Sequence, residues 1–103
     1  MQPLKFEDAL MAANGSILDC PACGGENLHQ ERVDSWFREE DATHGVHTSA
    51  MKDGGSFVTP QMHGNPSGRR DGLTITFRCE NCEDLPTLSI VQHKGLTLVG
   101  WLQ

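Results

Sequence analysis

The chain carries two pairs of cysteines whose type and spacing indicate metal chemistry. The pairs are Cys20 with Cys23 and Cys79 with Cys82, each with two residues between the cysteines, and 55 residues separate the pairs. Two residues between ligands let one tight turn aim both sulfurs at a common point, so two such turns complete a tetrahedral four-thiolate site. The long separation is no obstacle because loop-closure entropy grows only logarithmically with length. A shell closed by four cysteines favours one structural Zn²⁺ over a catalytic metal.

Other chemistry at the same four cysteines stays open. A rubredoxin-like iron site also uses two such pairs, a thioredoxin-type redox pair would need a βαβ context, and two structural disulfides would need an oxidising compartment. Residues 1–10 contain neither an uninterrupted apolar run nor a basic leader, and no stretch approaches the ~18 apolar residues that cross a bilayer. We therefore expect a cytoplasmic location, where paired cysteines bind metal more often than they cross-link.

The first pair lies in a motif that resembles a known family. Cys20-Pro21-Ala22-Cys23-Gly24-Gly25 resembles the first knuckle of the zinc ribbons, including the glycine that lets the turn close. The second knuckle departs from the family pattern because Glu83 stands where a glycine is common. The resemblance implies a mainly β fold, a small antiparallel zinc-ribbon sheet. Residues 64–72 also look like a segment of short uncharacterised zinc-ribbon proteins of bacteria and their phages, which implies no activity.

Hydrophobic alternation predicts the strands that position the knuckles. Over residues 73–79, Leu73, Ile75, Phe77 and Cys79 alternate with polar residues, the pattern of a half-buried strand. Residues 27–39 also predict a strand, although their alternation is imperfect. Residues 86–92 and 96–101, around a turn at 93–95, predict a hairpin. We expect three or four antiparallel strands.

Glycine and proline mark an insertion at about residues 40–72, between the two knuckles. Residues 39–72 hold six glycines together with Pro60 and Pro66. Short alternating runs at 46–51 and 56–59 flank Lys52-Asp53-Gly54-Gly55, which predicts a β-hairpin, followed by a long loop over 60–72.

The remaining residues predict one domain with a leader. Residues 20–103 form a single domain in this interpretation, and residues 1–19 form an N-terminal leader. The leader is either a short helix, with the apolar residues 4, 6, 10 and 11 on one side and Gly15 beyond its end, or a weakly ordered segment.

Composition predicts a thin core and an acidic surface. Leu, Ile, Val and Phe together number 22 of 103 residues, just above the roughly 20% below which chains tend to stay disordered. We therefore expect a structural metal, which contributes an apparent ~10–16 kcal/mol in small zinc-finger peptides, to supply what the core does not. The net charge of −6 becomes −8 with four thiolates and one Zn²⁺, which argues against a nonspecific nucleic-acid binder.

Two groups of residues are candidates for contacts with a partner. Arg69, Arg70 and Arg78 are the one basic concentration, and they either contact an anion or nucleic acid or pair with Asp71, Glu80 or Asp84 and pin the loop. Trp36 and Trp101 are candidate exposed aromatics, or else belong to the core. His44 and His47 have a conceivable ligand spacing, although such a pair alone more often just faces solvent.

The function that these features favour is a non-enzymatic, zinc-stabilised binding module with no catalytic residues. We expect a protein or nucleoprotein partner, no membrane and no small-molecule substrate, and a protein partner predicts an exposed apolar patch of several hundred Å². One alternative is a nucleic-acid-binding ribbon that uses the three arginines. Another is an acidic inhibitor or accessory protein from a phage or other mobile element.

Overall fold

The computed structural model describes residues 2–4, 6–7 and 15–102. All regular secondary structure in these ranges is β-strand, which confirms the mainly β prediction. The strands are β1 (Phe6–Glu7), β2 (Ile17–Leu18), β3 (Leu28–Phe37), β4 (His44–Met51), β5 (Ser56–Gln61), β6 (Gly72–Cys79), β7 (Thr87–His93) and β8 (Leu96–Trp101). The described ranges hold no helix long and apolar enough to cross a membrane.

In the described part of the chain, six strands form one antiparallel sheet in the order β5-β4-β3-β6-β7-β8. The predicted hairpin is present as β4–β5, and residues 62–71 form the loop that follows it. Besides the hairpin, three or four strands were expected, and β3, β6, β7 and β8 are four; the hairpin extends their sheet to six strands because β4 pairs with β3 over residues 32–37. Pairing with the hairpin satisfies backbone groups along β3 that would otherwise form an open sheet edge.

The β7–β8 hairpin is closed by the turn that the sequence predicts. Lys94 and Gly95 connect the strands with φ angles of 50° and 81°, the conformation of a two-residue type I′ turn. The other hairpin turn uses Gly54, with φ 101°, and its Met51 N–H donates to the Gly55 carbonyl over 2.8 Å.

The N-terminal residues contribute strands and packing where a helix was one expectation. Residues 6–7 pair with residues 17–18 as β1 and β2, so that part of the helix prediction is wrong. The rest of the predicted helix, residues 8–14, lies outside the described residues. Gln2 exchanges two backbone hydrogen bonds with Trp101, while Leu4 and Leu18 pack against the core.

The core is small and lies at the end of the sheet where both knuckles attach. Phe77, Leu88 and Trp101 form its buried cluster, and the rings of Phe77 and Trp101 meet edge to face at 6.0 Å. Cys79 is fully buried and lies on the same face of β6 as Phe77. Cys79 therefore continues the apolar core towards the second cysteine pair.

The prediction that Trp36 and Trp101 are exposed aromatics is wrong. Their exposed fractions are 4% and 2%. Trp101 lies in the core, and the Trp36 indole N–H donates to the His63 carbonyl over 3.2 Å, so the 62–71 loop covers this ring. Both indoles fill space inside the fold and neither offers a stacking platform.

The loop at residues 62–71 is held by its own polar side chains. The Asn65 side chain accepts from Ser67 N–H and donates to the Arg70 carbonyl, while the Ser67 hydroxyl donates to the Gln92 carbonyl. A Cβ at Gly72 would overlap Asn65 and Pro66, so only glycine fits there. These contacts give residues 64–72 a structural role.

Candidate metal centre and contact surfaces

The two knuckles have the same backbone hydrogen-bonding pattern. In the first, Cys20 N–H donates to the Gly25 carbonyl and Gly24 N–H donates to the Cys20 carbonyl, each over 2.8 Å. In the second, Cys79 N–H donates to the Asp84 carbonyl over 2.9 Å and Glu83 N–H donates to the Cys79 carbonyl over 2.8 Å. Gly24 and Glu83 occupy matching positions with φ angles of 78° and 59°. The absence of a glycine at Glu83 therefore does not alter the turn.

The four sulfurs lie in one cluster whose dimensions fit a tetrahedral metal ion. All four are within 4.8 Å of one another. The Sγ atoms of Cys20 and Cys82 are 3.9 Å apart, and those of Cys23 and Cys79 are 3.6 Å apart. Zn–S bonds of about 2.3 Å place the sulfurs of a regular tetrahedron about 3.8 Å apart. Cys20, Cys23, Cys79 and Cys82 could therefore hold one metal ion, with its coordination shell complete.

Side chains around the cluster hold one knuckle against the other. A Cβ at Gly25 would overlap the Asn81 side chain, so the two turns approach closely because this residue is glycine. Beside them, His29 Nε2 lies 2.9 Å from the Glu80 carboxylate, and Glu80 N–H donates to the Asn27 carbonyl over 2.9 Å. Strand β3, which follows the first knuckle, is thereby tied to the second.

The surroundings of the sulfurs give the thiols of Cys79 and Cys82 different pKa values. Burial raises the pKa of the Cys79 thiol, but the backbone N–H groups of Cys82 and Asn81 outweigh it and bring the pKa to about 7. The backbone N–H of Asp84 lowers the pKa of Cys82, but desolvation and the three other sulfurs raise it to about 12. Without a metal the cluster therefore retains protons that a bound cation must displace.

The structure does not bring the three candidate arginines together. Arg78 lies six residues beyond the start of β6, which places it roughly 20 Å from Gly72 and the loop that carries Arg69 and Arg70. Arg69 binds Asp41 over 2.7 Å and Glu40 over 3.0 Å, and Arg70 binds the same Glu40 carboxylate over 2.9 Å.

Each arginine is therefore paired, although with other carboxylates than those expected. Arg78 binds Glu31 over 3.2 Å, and Asp71 accepts instead from the backbone N–H of Arg38. A phosphate that approached Arg69 or Arg70 would have to displace carboxylates. Contact between these arginines and nucleic acid stays a prediction.

Sequence reasoning missed a buried ionic network on the same face of the sheet as Trp36. Asp34 is 5% exposed, accepts two hydrogen bonds from Arg32 over 2.6 and 3.1 Å, and lies 2.8 Å from Nε2 of His47. The His47 ring stacks on Trp36 with ring centroids 4.4 Å apart, and Phe57 meets its edge. Alternate positions on β3 and β4 carry these residues, but their meeting depends on strand register, which local patterns do not give.

As described, the network lacks both the hydroxyl–imidazole hydrogen bond of a catalytic triad and a set of converging metal ligands. Ser49 is buried on the same face, but no hydrogen bond joins its hydroxyl to His47. His44 is exposed and donates to or accepts from Thr43, so the His44–His47 pair does not converge. Among the described residues, the four cysteines are the one group of three or more ligand-type side chains close enough to hold a metal.

The other face of the sheet carries an uncharged row that crosses all six strands. Consecutive cross-strand neighbours form this row. They are Val58, Thr48, Ser35, Leu73, Ile90 and Val99. Phe37 and Val46 are paired in the next row on the same face. We call these eight residues the open face.

The open face is largely apolar, and no other part of the chain that the structure describes packs over its exposed residues. Val58, Phe37, Val46 and Val99 are 72%, 59%, 45% and 43% exposed, and the other four residues are half-buried. Beside it lies a concavity of about 590 Å³, which is lined by Phe37 and Leu73 of the open face and also by charged residues, namely Arg38, Glu39, Glu40, Arg70 and Asp71. Single exposed apolar residues are normal, whereas a contiguous set of them makes this face a candidate interaction surface.

Burial along β6 differs from what its alternation predicts. The apolar positions Leu73 and Ile75 are only half-buried, whereas Phe77 and Cys79 are buried as expected. The polar Thr74, on the opposite face, is 6% exposed. One end of the apolar face therefore supplies the core, and the other end is left open.

Comparison with protein-family models, with curated proteins and with solved structures finds no match to this chain.

Proposed function

We propose that the protein is a non-enzymatic binding module, stabilised by one Zn²⁺ at Cys20, Cys23, Cys79 and Cys82, that binds protein through its open face. The single observation that carries the proposal is the uncharged row across the sheet between Val58 and Val99, in which four of the six residues are apolar. An apolar surface of this extent is typical of a protein-binding site.

The metal has a structural part in this proposal. Four thiolates would complete the coordination shell of Zn²⁺, which leaves no position for a substrate. The matched turns at Gly24 and Glu83 support the resemblance to zinc ribbons. The ion would join two segments that are far apart in the chain and stabilise the core beside Cys79.

Nucleic acid is the weaker alternative partner. Arg69 and Arg70 already bind Glu40 and Asp41, and neither tryptophan is available for stacking on a base. The acidic charge of the chain also opposes the approach of a phosphate backbone.

Site-specific photo-crosslinking in cells tests the proposal. A photoreactive amino acid in place of Val58, on the open face, should give a discrete protein adduct when the protein is expressed at its ordinary level. The matched control places it at Leu96, which has a similar exposure of 60% against 72% but lies on the opposite face of the sheet. Equal labelling at the two positions, or no adduct from position 58, would contradict the proposal.

A further inference from the structure

We propose that the cleft above the Asp34–His47 pair is a binding site for a small, flat aromatic carboxylate. The cleft lies on the face of the sheet opposite the open face, so this proposal goes beyond the binding of a protein partner. Its volume is about 420 Å³, which lies within the range of small-molecule sites in proteins.

The floor of the cleft is a layer of buried side chains that hold one another in place. Trp36, His47 and Asp34 are 4%, 7% and 5% exposed. The His47 ring stacks on Trp36, its Nε2 lies 2.8 Å from Asp34, and the Trp36 indole is bound to the loop through the His63 carbonyl. The floor is therefore formed before a ligand arrives, so that binding orders few side chains.

The two ends of the cleft are formed by exposed side chains. Phe57, Thr59 and Gln61 alternate on the cleft face of β5, and Thr59 lies directly opposite His47. Phe57 is 41% exposed at one end, and Gln61 and His63 are exposed at the other. Four residues of strand separate Phe57 from Gln61, which makes the cleft roughly 13 Å long. This length, with aromatic rings in the floor and at one end, suits a flat ligand of one or two fused rings.

The hydrogen bonds of Arg32 favour an anion at the Phe57 end. Nε and Nη2 of Arg32 both donate to Asp34, which fixes the guanidinium group, and its central carbon lies 6.0 Å from the centre of the Phe57 ring. In the part of the chain that the structure describes, nothing accepts a hydrogen bond from Nη1, and the Arg32 side chain is 41% exposed. A ligand carboxylate could accept from Nη1 in a charge-assisted hydrogen bond.

The carboxylate of the protein itself does not compete for that position. Asp34 is the one carboxylate among the described lining residues, and Arg32 and His47 already occupy both of its oxygens. Arg69 and Arg70 differ in this respect, because an anion there must displace Glu40 or Asp41. A cationic ligand would meet the guanidinium group of Arg32, and a neutral ring would leave Nη1 without an acceptor.

NMR titration of the metal-loaded protein tests the proposal with three compounds of similar shape. They are 2-naphthoate, 2-naphthylmethanol and 2-naphthylmethylammonium, which are anionic, neutral and cationic. Naphthoate should bind with a dissociation constant of about 1 mM or tighter, the strength expected for roughly 13 non-hydrogen atoms. It should bind about fivefold or more tightly than the alcohol, and the ammonium compound should bind most weakly.

The two tryptophans provide the readout and its internal control. Trp36 lies in the floor of the cleft, whereas Trp101 lies in the core. The ring current of a bound naphthalene should therefore shift the indole N–H signal of Trp36 and leave that of Trp101 in place.

Neighbouring positions on β5 provide a matched pair of variants. Phe57 and Val58 are 41% and 72% exposed but lie on opposite faces of the sheet. Phe57→Ala should weaken naphthoate binding about fivefold or more, because it removes an aromatic wall, whereas Val58→Ala should leave it unchanged. Arg32→Gln should remove the preference for naphthoate over the alcohol. Circular dichroism establishes that each variant folds, and the three compounds test the role of charge on the wild type without any variant.

Three results would overturn the proposal. The first is a Trp36 signal that does not move with naphthoate up to about 5 mM, well above the expected dissociation constant. The second is binding of the alcohol or the ammonium compound as tight as that of naphthoate. The third is an equal loss of binding in Phe57→Ala and Val58→Ala. Because the open face takes no part in these measurements, such a failure would leave the proposed function standing.

Discussion

Glu83 adopts in the second knuckle the left-handed backbone conformation that Gly24 adopts in the first. An L-residue with a Cβ is strained there by roughly 1–2 kcal/mol relative to a right-handed conformation, and glycine relieves that strain at some cost in unfolded-state entropy. The second knuckle therefore holds Glu83 in a backbone conformation that a residue with a Cβ does not favour.

Glu83→Gly should accordingly raise the free energy of unfolding by about 0.5–1 kcal/mol. Denaturant unfolding of the metal-loaded protein measures the change. Lys94→Gly is the matched control, because Lys94 has a similar φ of 50° in a turn that carries no cysteine. Lys94→Gly should stabilise the fold without slowing metal loss to a chelator. Glu83→Gly should stabilise the fold and also slow metal loss. A less stable Glu83→Gly protein would contradict this account of the knuckle.

The acidities of the thiols predict how metal binding depends on pH. Cys82 has a pKa of about 12 in the unmetallated cluster, and metal ligands must be thiolates, so uptake at neutral pH displaces protons. The apparent affinity should rise about tenfold or more for each pH unit between about pH 6 and 8, since each displaced proton adds one such factor. Chelator competition at several pH values, corrected for the chelator's own protonation, measures this; an affinity independent of pH would contradict it.

Strands β3, β4 and β5 are joined by the buried network around Asp34. Burial raises the pKa of Asp34, but the hydrogen bonds from Arg32 and His47 outweigh it and the pKa falls below its usual value of 3.8. A carboxyl whose folded pKa is lowered stabilises the fold above its unfolded pKa, and this contribution is lost as pH falls through the folded value.

Asp34→Asn should therefore lower the free energy of unfolding by about 2 kcal/mol at pH 7, as expected for the loss of hydrogen bonds to a buried charge. The penalty should persist at about pH 5, because Asp34 remains ionised there. Denaturant midpoints at both pH values provide the measurement, and Glu39→Gln, at an exposed carboxylate, provides the control. A penalty absent at pH 7, or one that vanishes by pH 5, would show that the network does not join these strands as described.

The strands and the pairing within the two hairpins could be predicted, but the pairing between strands distant in the chain could not. Alternation at Leu73–Phe77 and the Lys94-Gly95 turn are local signals, so β6 and the β7–β8 hairpin follow from neighbouring residues. Pairing of β4 with β3 joins residues that are distant in the chain and is decided by the whole sheet. The cysteine cluster was predictable because each pair carries its own spacing, whereas Asp34 and His47 meet only through register.

The molecule has a small core at the end of the sheet that carries the cysteines. The open face lies towards the opposite end of the sheet. Phe77, Leu88 and Trp101 are the buried cluster, and Cys79 extends it towards the second knuckle. With so little apolar burial, the metal would supply much of the stability at this end.

Cys79→Ser should therefore bind metal poorly and lose structure from the knuckle end. Backbone amides of Gly24 and Glu83, which close the two knuckles, should exchange with solvent as quickly as in an unfolded chain. Hydrogen exchange measures this, and the wild type stripped by a chelator should match the variant. Full native protection in metal-free Cys79→Ser would contradict a structural role for the metal.

The central claim is that four cysteines from two distant segments hold one structural zinc ion. Elemental analysis of the purified wild-type protein tests it most directly. We expect one zinc per chain, and none in Cys79→Ser purified in the same way. Iron in place of zinc would replace the structural site with a redox-active one, and wild-type protein that folds without any bound metal would contradict the claim outright.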